Sequence, residues 1–390
     1  MQSKHLQRIF LRMSIIMAGI IVMFIVSSSL FGMDVTKMVI FKREVRHIGF
    51  LKVHKAASTT IENMMIRFSQ SRKLTIVLPK DGHHLSVKNA SPKSWKFFPV
   101  PKNHTFDILF NHVIFSAIGF RTYLPSDSVY IASVREPFQQ MISAFYYIRR
   151  VFPQAYIKNI SGPNPHRVYL RDPKRYDQDL TSFTHNGMAQ DFGYPPALND
   201  NMAQFQEYVE RLGAFFDLVI VMEKFDESII LMKRLLCWSM KDIVYIKANV
   251  LKLNSSIEIT DQDRQLHRHW APLDYFLYDF FLKKLENQIS AQFSEFTREV
   301  AYFKQLLKRV KKFCTQKNIT KPLIIDVSEF SNGFQISDSD CVVMTAKEST
   351  SMNNLKENRR QELMEFGEDA IYIKKKRQSI TWTPALQLDV

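Results

Sequence analysis

The sequence predicts an α/β fold with a mainly parallel sheet flanked by helices, preceded by an N-terminal transmembrane helix. Three observations carry this: short apolar runs alternating with amphipathic helical segments, small-residue turns directly after the runs, and one long uncharged stretch near the start. Strands apolar on both faces belong to parallel sheets covered by helices. Such sheets bind ligands beyond the carboxyl ends of their strands, so the residues after those runs are the first candidates for a site.

Residues 1–12 carry Lys4, Arg8 and Arg12, and Met13 to Met33 follow without a charge, about the 20 residues a spanning helix needs. This apolar core is longer than that of a cleaved signal peptide, so a retained signal anchor at 13–33 is expected, with the basic tail cytoplasmic and the rest lumenal. A short basic stem at 34–44 leads into the folded part. Acceptor sequons for N-glycosylation at Asn89, Asn103, Asn159, Asn254 and Asn318 fit a lumenal chain. The three cysteines are too few for a disulfide scaffold but suffice for one bridge, expected between Cys314 and Cys341, with Cys237 buried and reduced.

Val45 to Val53 reads as a buried strand, and Thr59 to Ser69 as a helix with Ile61, Met64, Met65 and Phe68 on one face. Phe106 to Asn111 and Val129 to Val134 are further strands, and Pro137 opens a helix running to Val151. Leu218 to Met222 is a strand and Glu227 to Trp238 the helix after it. Residues 152–201 read as a loop-like insertion, too long for a plain connection, that shapes a substrate cleft. Helices over 261–313 complete a catalytic domain at 45–313, leaving 314–390 as an extension with no assigned role.

The formal net charge of +15 implies an anionic partner. A lumenal location excludes nucleic acid and leaves a phosphate-bearing ligand, an acidic glycan or a membrane surface. Part of the charge lies in the run Lys374 to Arg377, which reads equally as solvated surface.

The segment Phe50-Leu51-Lys52-Val53-His54-Lys55-Ala56-Ala57-Ser58-Thr59-Thr60 sits where a strand hands over to a helix. A turn there aims backbone N–H groups and the positive helix end at one point, an anion site to which Ser58, Thr59 and Thr60 add hydroxyls. It is not a Walker A loop: the glycine spacing is absent and the lysine precedes the small residues. The second such turn is Ile131-Ala132-Ser133-Val134-Arg135-Glu136-Pro137. Arg135 at the strand end and Ser143 two turns into the helix can share one phosphate, although a salt bridge and a surface serine would read the same way.

These two segments resemble the donor-binding elements of Golgi carbohydrate sulfotransferases. With those segments, including the R-x-P at Arg135 with Ser143, three further features resemble the galactose 3-O-sulfotransferase family: Phe110-Asn111-His112, the N-x-M-x-x-D-F-G at Asn186 to Gly193, and Leu273-Asp274-Tyr275. The resemblance implies a P-loop-like sulfotransferase fold and 3′-phosphoadenosine 5′-phosphosulfate as sulfuryl donor, with no metal required. It also implies a galactose-terminated glycolipid or glycan as acceptor, and a single-pass type II protein of the Golgi membrane. Under it Lys55 stabilises charge on the leaving phosphate oxygen, and Ser58, Thr59 and Thr60 hold the 5′-phosphate. Arg135 and Ser143 hold the 3′-phosphate, His112 is the base with His54 beside it, and Asn186 and Asp191 are candidate acceptor contacts. The chain departs from the family pattern at Ala56, where threonine is common, and at Gly187, where a second asparagine is common.

Two rival readings share the topology. A glycosyltransferase would use a D-x-D motif, available at Asp177 to Asp179, Asp261 to Asp263 and Asp338 to Asp340. A glycan-binding relative without turnover would keep the fold alone. His83, His84 and Trp95 lie in a polar loop and could touch sugar, but with no supporting pattern they read as surface residues.

Overall fold

The computed structural model describes residues 43–86, 91–100, 104–152, 156–177, 182–247 and 257–365. In chain order these form β1 (Ile48–Leu51), α1 (Ser58–Arg72), β2 (His84–Ser86), β3 (Ile108–Leu109), β4 (His112–Val113), α2 (Ala117–Tyr123), β5 (Val129–Val134) and α3 (Pro137–Val151). Then come α4 (Pro165–Arg171), α5 (Pro173–Tyr176), α6 (Gly187–Asp191), α7 (Met202–Phe215), β6 (Leu218–Val221), α8 (Phe225–Leu236) and α9 (Met240–Ile243). The last third holds α10 (Asp261–Trp270), α11 (Pro272–Ser290), α12 (Ser294–Cys314), β7 (Leu323–Ser328), β8 (Ser331–Ile336), α13 (Asp338–Thr345) and α14 (Glu348–Glu365).

The central sheet has the order β3-β1-β5-β6, and its pairings are all parallel. Every residue of β1, β5 and β6 is buried, as the apolar runs predict for strands covered on both faces. Strands are shorter than their apolar runs because Val45 and Val53 are buried in the core without joining the ladder. The predicted helices at 59–69 and 137–151 are α1 and α3, and the one at 227–238 is α8, shifted toward its N-terminus by about half a turn.

Three expectations need correction. The insertion at 152–201 is not simply a loop: α4, α5 and α6 form within it, and Ile157, Ile160, Tyr169 and Leu170 join Phe138, Met141 and Phe145 of α3 in a second small core. Cys237 is exposed, because it ends α8 in a left-handed conformation that turns it out of the core. Trp95 is buried against Phe120 and Tyr123 and is no surface residue.

The chain beyond 313 packs onto the main core. Ile325, Ile336, Cys341, Met344, Met352 and Leu355 belong to the same hydrophobic core as the sheet. The Cys314–Cys341 disulfide is present and ties the end of α12 to α13. Asn63 of α1 donates to the Val343 carbonyl at 2.8 Å, and Arg359 of α14 to that of Pro99 at 3.2 Å. The extension therefore folds back over α1, next to the turn after β1.

The expected anchor at 13–33 and the Lys374 to Arg377 run lie outside the described residues, as do the sequons at Asn89, Asn103 and Asn254. Among the described residues no helix is long and apolar enough to cross a membrane. Asn159 and Asn318 are exposed.

Candidate active site

Between β1 and α1, Lys55 and Ala57 adopt φ of 62° and 60°. Left-handed residues this close together turn successive N–H groups inward and make an anion-binding concavity. Ala57 at the N-cap gives α1 no side-chain cap, and the first turn holds no acidic residue, so the positive helix end faces the same hollow. Arg135 Nη1 donates to the Lys55 carbonyl at 3.2 Å, and Gln140 Nε2 to the His54 carbonyl at 3.1 Å. The two strand-end turns, far apart in sequence, thus meet.

Lys55 Nζ lies 3.9 Å from the centroid of the Tyr147 ring. Its pKa is lowered, first by burial and then by the positive charges of Arg135 and Arg150. Drawing three cations together costs free energy that an anion between them would return. Gln140, Ser143, Tyr147 and Arg150 recur at helical spacing, one stripe of α3 turned to the β1 turn. Tyr147 and Arg150 went unnoticed in the sequence, where that periodicity was the only signal.

The hydroxyls behave differently from expectation. Ser58 Oγ donates to the Val53 carbonyl at 2.8 Å and Thr59 Oγ1 to Glu348 at 3.2 Å, so two of the three hydroxyl protons are already committed. A phosphate here would rest on backbone N–H groups and cations, which also makes Ala56 in place of threonine a small change.

Beneath the turn, Lys52 is fully buried and pairs with Glu62 at 2.6 Å and with Glu348 at 2.7 Å. One cation serves two carboxylates, and the more buried one holds a proton more readily. Glu62 is raised to about 7 by burial, with Glu348 adding and Lys52 opposing, while Glu348 is lowered, the pull of Lys52 overcoming its own burial. Because Glu62 lies above its ordinary 4.5, its contribution to stability is complete below that value and fades as pH rises through about 7. Lys52→Met should cost about 3–5 kcal/mol in urea unfolding at neutral pH, since it leaves the buried Glu62 and the partly buried Glu348 without a cation. The loss should shrink on acidification; a cost that does not vary with pH would contradict this account.

Three imidazoles line the other side of the turn. His112 and His84 are register partners in the parallel β2–β4 pair, with rings 5.1 Å apart, and His54 stacks on His112 at 4.0 Å. His112 Nδ1 lies 3.0 Å from the Lys52 carbonyl. A carbonyl only accepts, so Nδ1 carries the hydrogen and Nε2 keeps its lone pair. Burial first, then His54, Lys52 and His84, hold the His112 pKa well below the ordinary value. His84 is exposed, as a surface residue should be, yet strand pairing sets it beside His112 and His54, and no local pattern announces that.

The Asn186 to Gly193 motif braces the site from within. Asp191 accepts from the His54 N–H at 2.7 Å and from Nδ1 at 2.8 Å, orienting that ring as a carboxylate orients a catalytic imidazole. Asn186, almost fully buried, accepts from the N–H groups of Leu273 at 3.1 Å and Asp274 at 3.4 Å at the start of α11. Asp274 in return accepts from Met188 at 3.3 Å and Ala189 at 2.8 Å at the start of α6. Two helix N-termini cap one another, which explains why these distant segments occur together. Burial raises the Asp274 pKa to about 7. Gly193 has φ of 90°, and a Cβ there would lie 2.5 Å from the Phe115 carbonyl oxygen, so only glycine closes the motif.

Three of the described D-x-D aspartates have structural work. Asp263 caps α10 through Thr260 and pairs with Arg167 at 3.1 Å, Asp340 caps α13 through Ser337, and Asp177 accepts from Tyr169 at 3.0 Å. Among the described residues no group of three or more histidine, cysteine or carboxylate side chains could hold a metal ion.

A parallel sheet whose strand-end turns pool cations around an anion nest, beside a neutral imidazole, has the design of a sulfotransferase. The family model for galactose-3-O-sulfotransferase matches residues 27–330, and the chain belongs to that family. It is 29% identical over 296 residues to galactose-3-O-sulfotransferase 2 of Mus musculus, covering 71% of this chain and 72% of that protein. Galactosylceramide sulfotransferase of Homo sapiens is 30% identical over 274 residues, 69% of this chain and 64% of its own length. Galactose-3-O-sulfotransferase 3 of Mus musculus is 30% identical over 243 residues, 60% and 55%. The second and third alignments thus span somewhat less than two thirds of those relatives.

Proposed function

We propose that this protein transfers the sulfuryl group of 3′-phosphoadenosine 5′-phosphosulfate to the 3-hydroxyl of a galactose on a glycolipid or glycoprotein glycan. It would do so in the Golgi lumen, anchored through 13–33. The observation that carries the reading is the Arg135 to Lys55 contact at 3.2 Å, which brings the two predicted donor elements into one site.

The nest, Lys55 and the start of α1 hold the 5′-phosphosulfate, and Arg135 with Ser143 holds the 3′-phosphate. His112 Nε2 takes the proton of the acceptor hydroxyl as its oxygen bonds to sulfur. The bond from sulfur to the phosphate oxygen breaks, and Lys55 stabilises the charge left on adenosine 3′,5′-bisphosphate. Positioning and preorganised charge suit such an in-line transfer, which needs no covalent intermediate.

The test is to incubate the detergent-solubilised full chain with radiolabelled donor and a panel of galactosides, and to measure adenosine 3′,5′-bisphosphate binding by calorimetry. Sulfated galactoside and binding that chelators do not weaken are expected. Turnover of a nucleotide sugar that requires Mn²⁺ would overturn the reading in favour of a glycosyltransferase.

A further inference from the structure

Phe183, a residue 37% exposed, stands beside the imidazoles with its ring 4.6 Å from the centroid of His54 and tilted 57° to it. Its two neighbours are the opposite: Ser182 and Thr184 are buried and fastened. Thr184 Oγ1 lies 2.6 Å from the Tyr156 hydroxyl and 2.9 Å from that of Tyr169, Ser182 Oγ donates to Asp177, and the Ser182 N–H donates to Gln190 at 3.2 Å. Trp270 Nε1 ties Tyr169 in turn at 3.0 Å. A polar network therefore grips the backbone on both sides of one aromatic ring and leaves that ring facing the site. Such a ring is preorganised and loses little conformational entropy when something covers it.

We infer that Phe183 is the platform on which the acceptor sugar stacks, and that it selects galactose; this rests on the reaction proposed above. An axial 4-hydroxyl leaves the hydrogens on C3, C4 and C5 together on one face of the pyranose, an apolar patch that fits an aromatic ring. The equatorial 4-hydroxyl of glucose breaks up that patch. A galactose on Phe183 presents its 3-hydroxyl at the rim of the stacked face, next to His54 and the His112 ring behind it. The donor's adenine is the other flat group in the reaction, but the proposed 3′-phosphate holders Arg135 and Ser143 put the nucleoside on the α3 side of the turn, whereas Phe183 lies against His54.

Saturation-transfer NMR with methyl β-galactoside and methyl β-glucoside tests this on the full chain with adenosine 3′,5′-bisphosphate present. Saturation is expected to be strongest on the galactoside H3, H4 and H5. Its Kd should rise about tenfold in Phe183→Ala and Phe183→Leu and return to within about twofold in Phe183→Trp, with nucleotide affinity unchanged in all three. Phe183→Leu keeps the bulk, so a loss there speaks for the ring itself, and unchanged nucleotide binding shows that the variants fold. A galactoside Kd in Phe183→Ala equal to wild type, weakened nucleotide binding in the variants, or no galactoside binding by the wild type would overturn the inference. Galactoside binding that follows this pattern without any sulfate transfer would sink the reaction and leave the sugar site standing.

Discussion

Lys55→Ala is expected to lower kcat by about 10²–10³-fold while leaving the fold as stable as before, or more so. The ammonium sits where burial, Arg135 and Arg150 all act against its charge, so removing it relieves repulsion in the unliganded protein. A group kept at a cost to stability and needed only when negative charge develops has the signature of a functional residue. Alanine tolerates the φ of 62° no worse than lysine does, so the backbone adds no separate penalty. Because the pKa is lowered, wild-type activity should decline on the alkaline side at a lower pH than for an ordinary lysine, as the ammonium deprotonates. Steady-state kinetics together with thermal unfolding decide the matter. A variant with kcat within tenfold of wild type removes Lys55 from the chemistry, and one that is inactive because it has melted would make the lysine structural.

Much of this architecture was legible because its signals are local. The apolar runs of β1, β5 and β6, the proline opening α3 and the lysine ahead of a small-residue turn each lie within about ten residues of their neighbours, and each announces its own geometry. What escaped was made by pairing across the chain. His84 reaches the site as the strand partner of His112, and Glu348 by the folding of α14 back over α1. The bonds of Asn186 to the start of α11 and of Asp191 to His54 are likewise not legible in the motif, which shows that residues belong together and not what each one touches.

Glu348 is the most instructive of these, for it lies beyond the 27–330 span that the family model matches. Its carboxylate takes the Thr59 hydroxyl and half of the Lys52 charge, so the segment after the disulfide helps to set the donor turn. A chain cut at the apparent end of the catalytic domain, residue 313, would lose that carboxylate and expose the core face that Met344, Met352 and Leu355 cover.

His112→Gln should reduce kcat by about 10²–10⁴-fold, the range for loss of a general base, with little effect on folding or on nucleotide affinity. Glutamine places its amide near the imidazole Nε2 and carries no basic nitrogen, so the substitution removes the proton acceptor but keeps a polar group there, giving up only the Nδ1 contact to the Lys52 carbonyl at 3.0 Å. The wild-type pH profile carries the second half of the argument. In the proposed role His112 would act as neutral imidazole, and its pKa is held well below the ordinary 6.5 by burial and by His54, Lys52 and His84. The neutral form therefore persists as pH falls through the usual histidine range, and the acid limb of kcat should appear only below it. An acid limb centred near 6.5, or a His112→Gln variant with nearly full turnover, would assign the proton to a different imidazole. His54, stacked at 4.0 Å and oriented by Asp191, would then be the one to test.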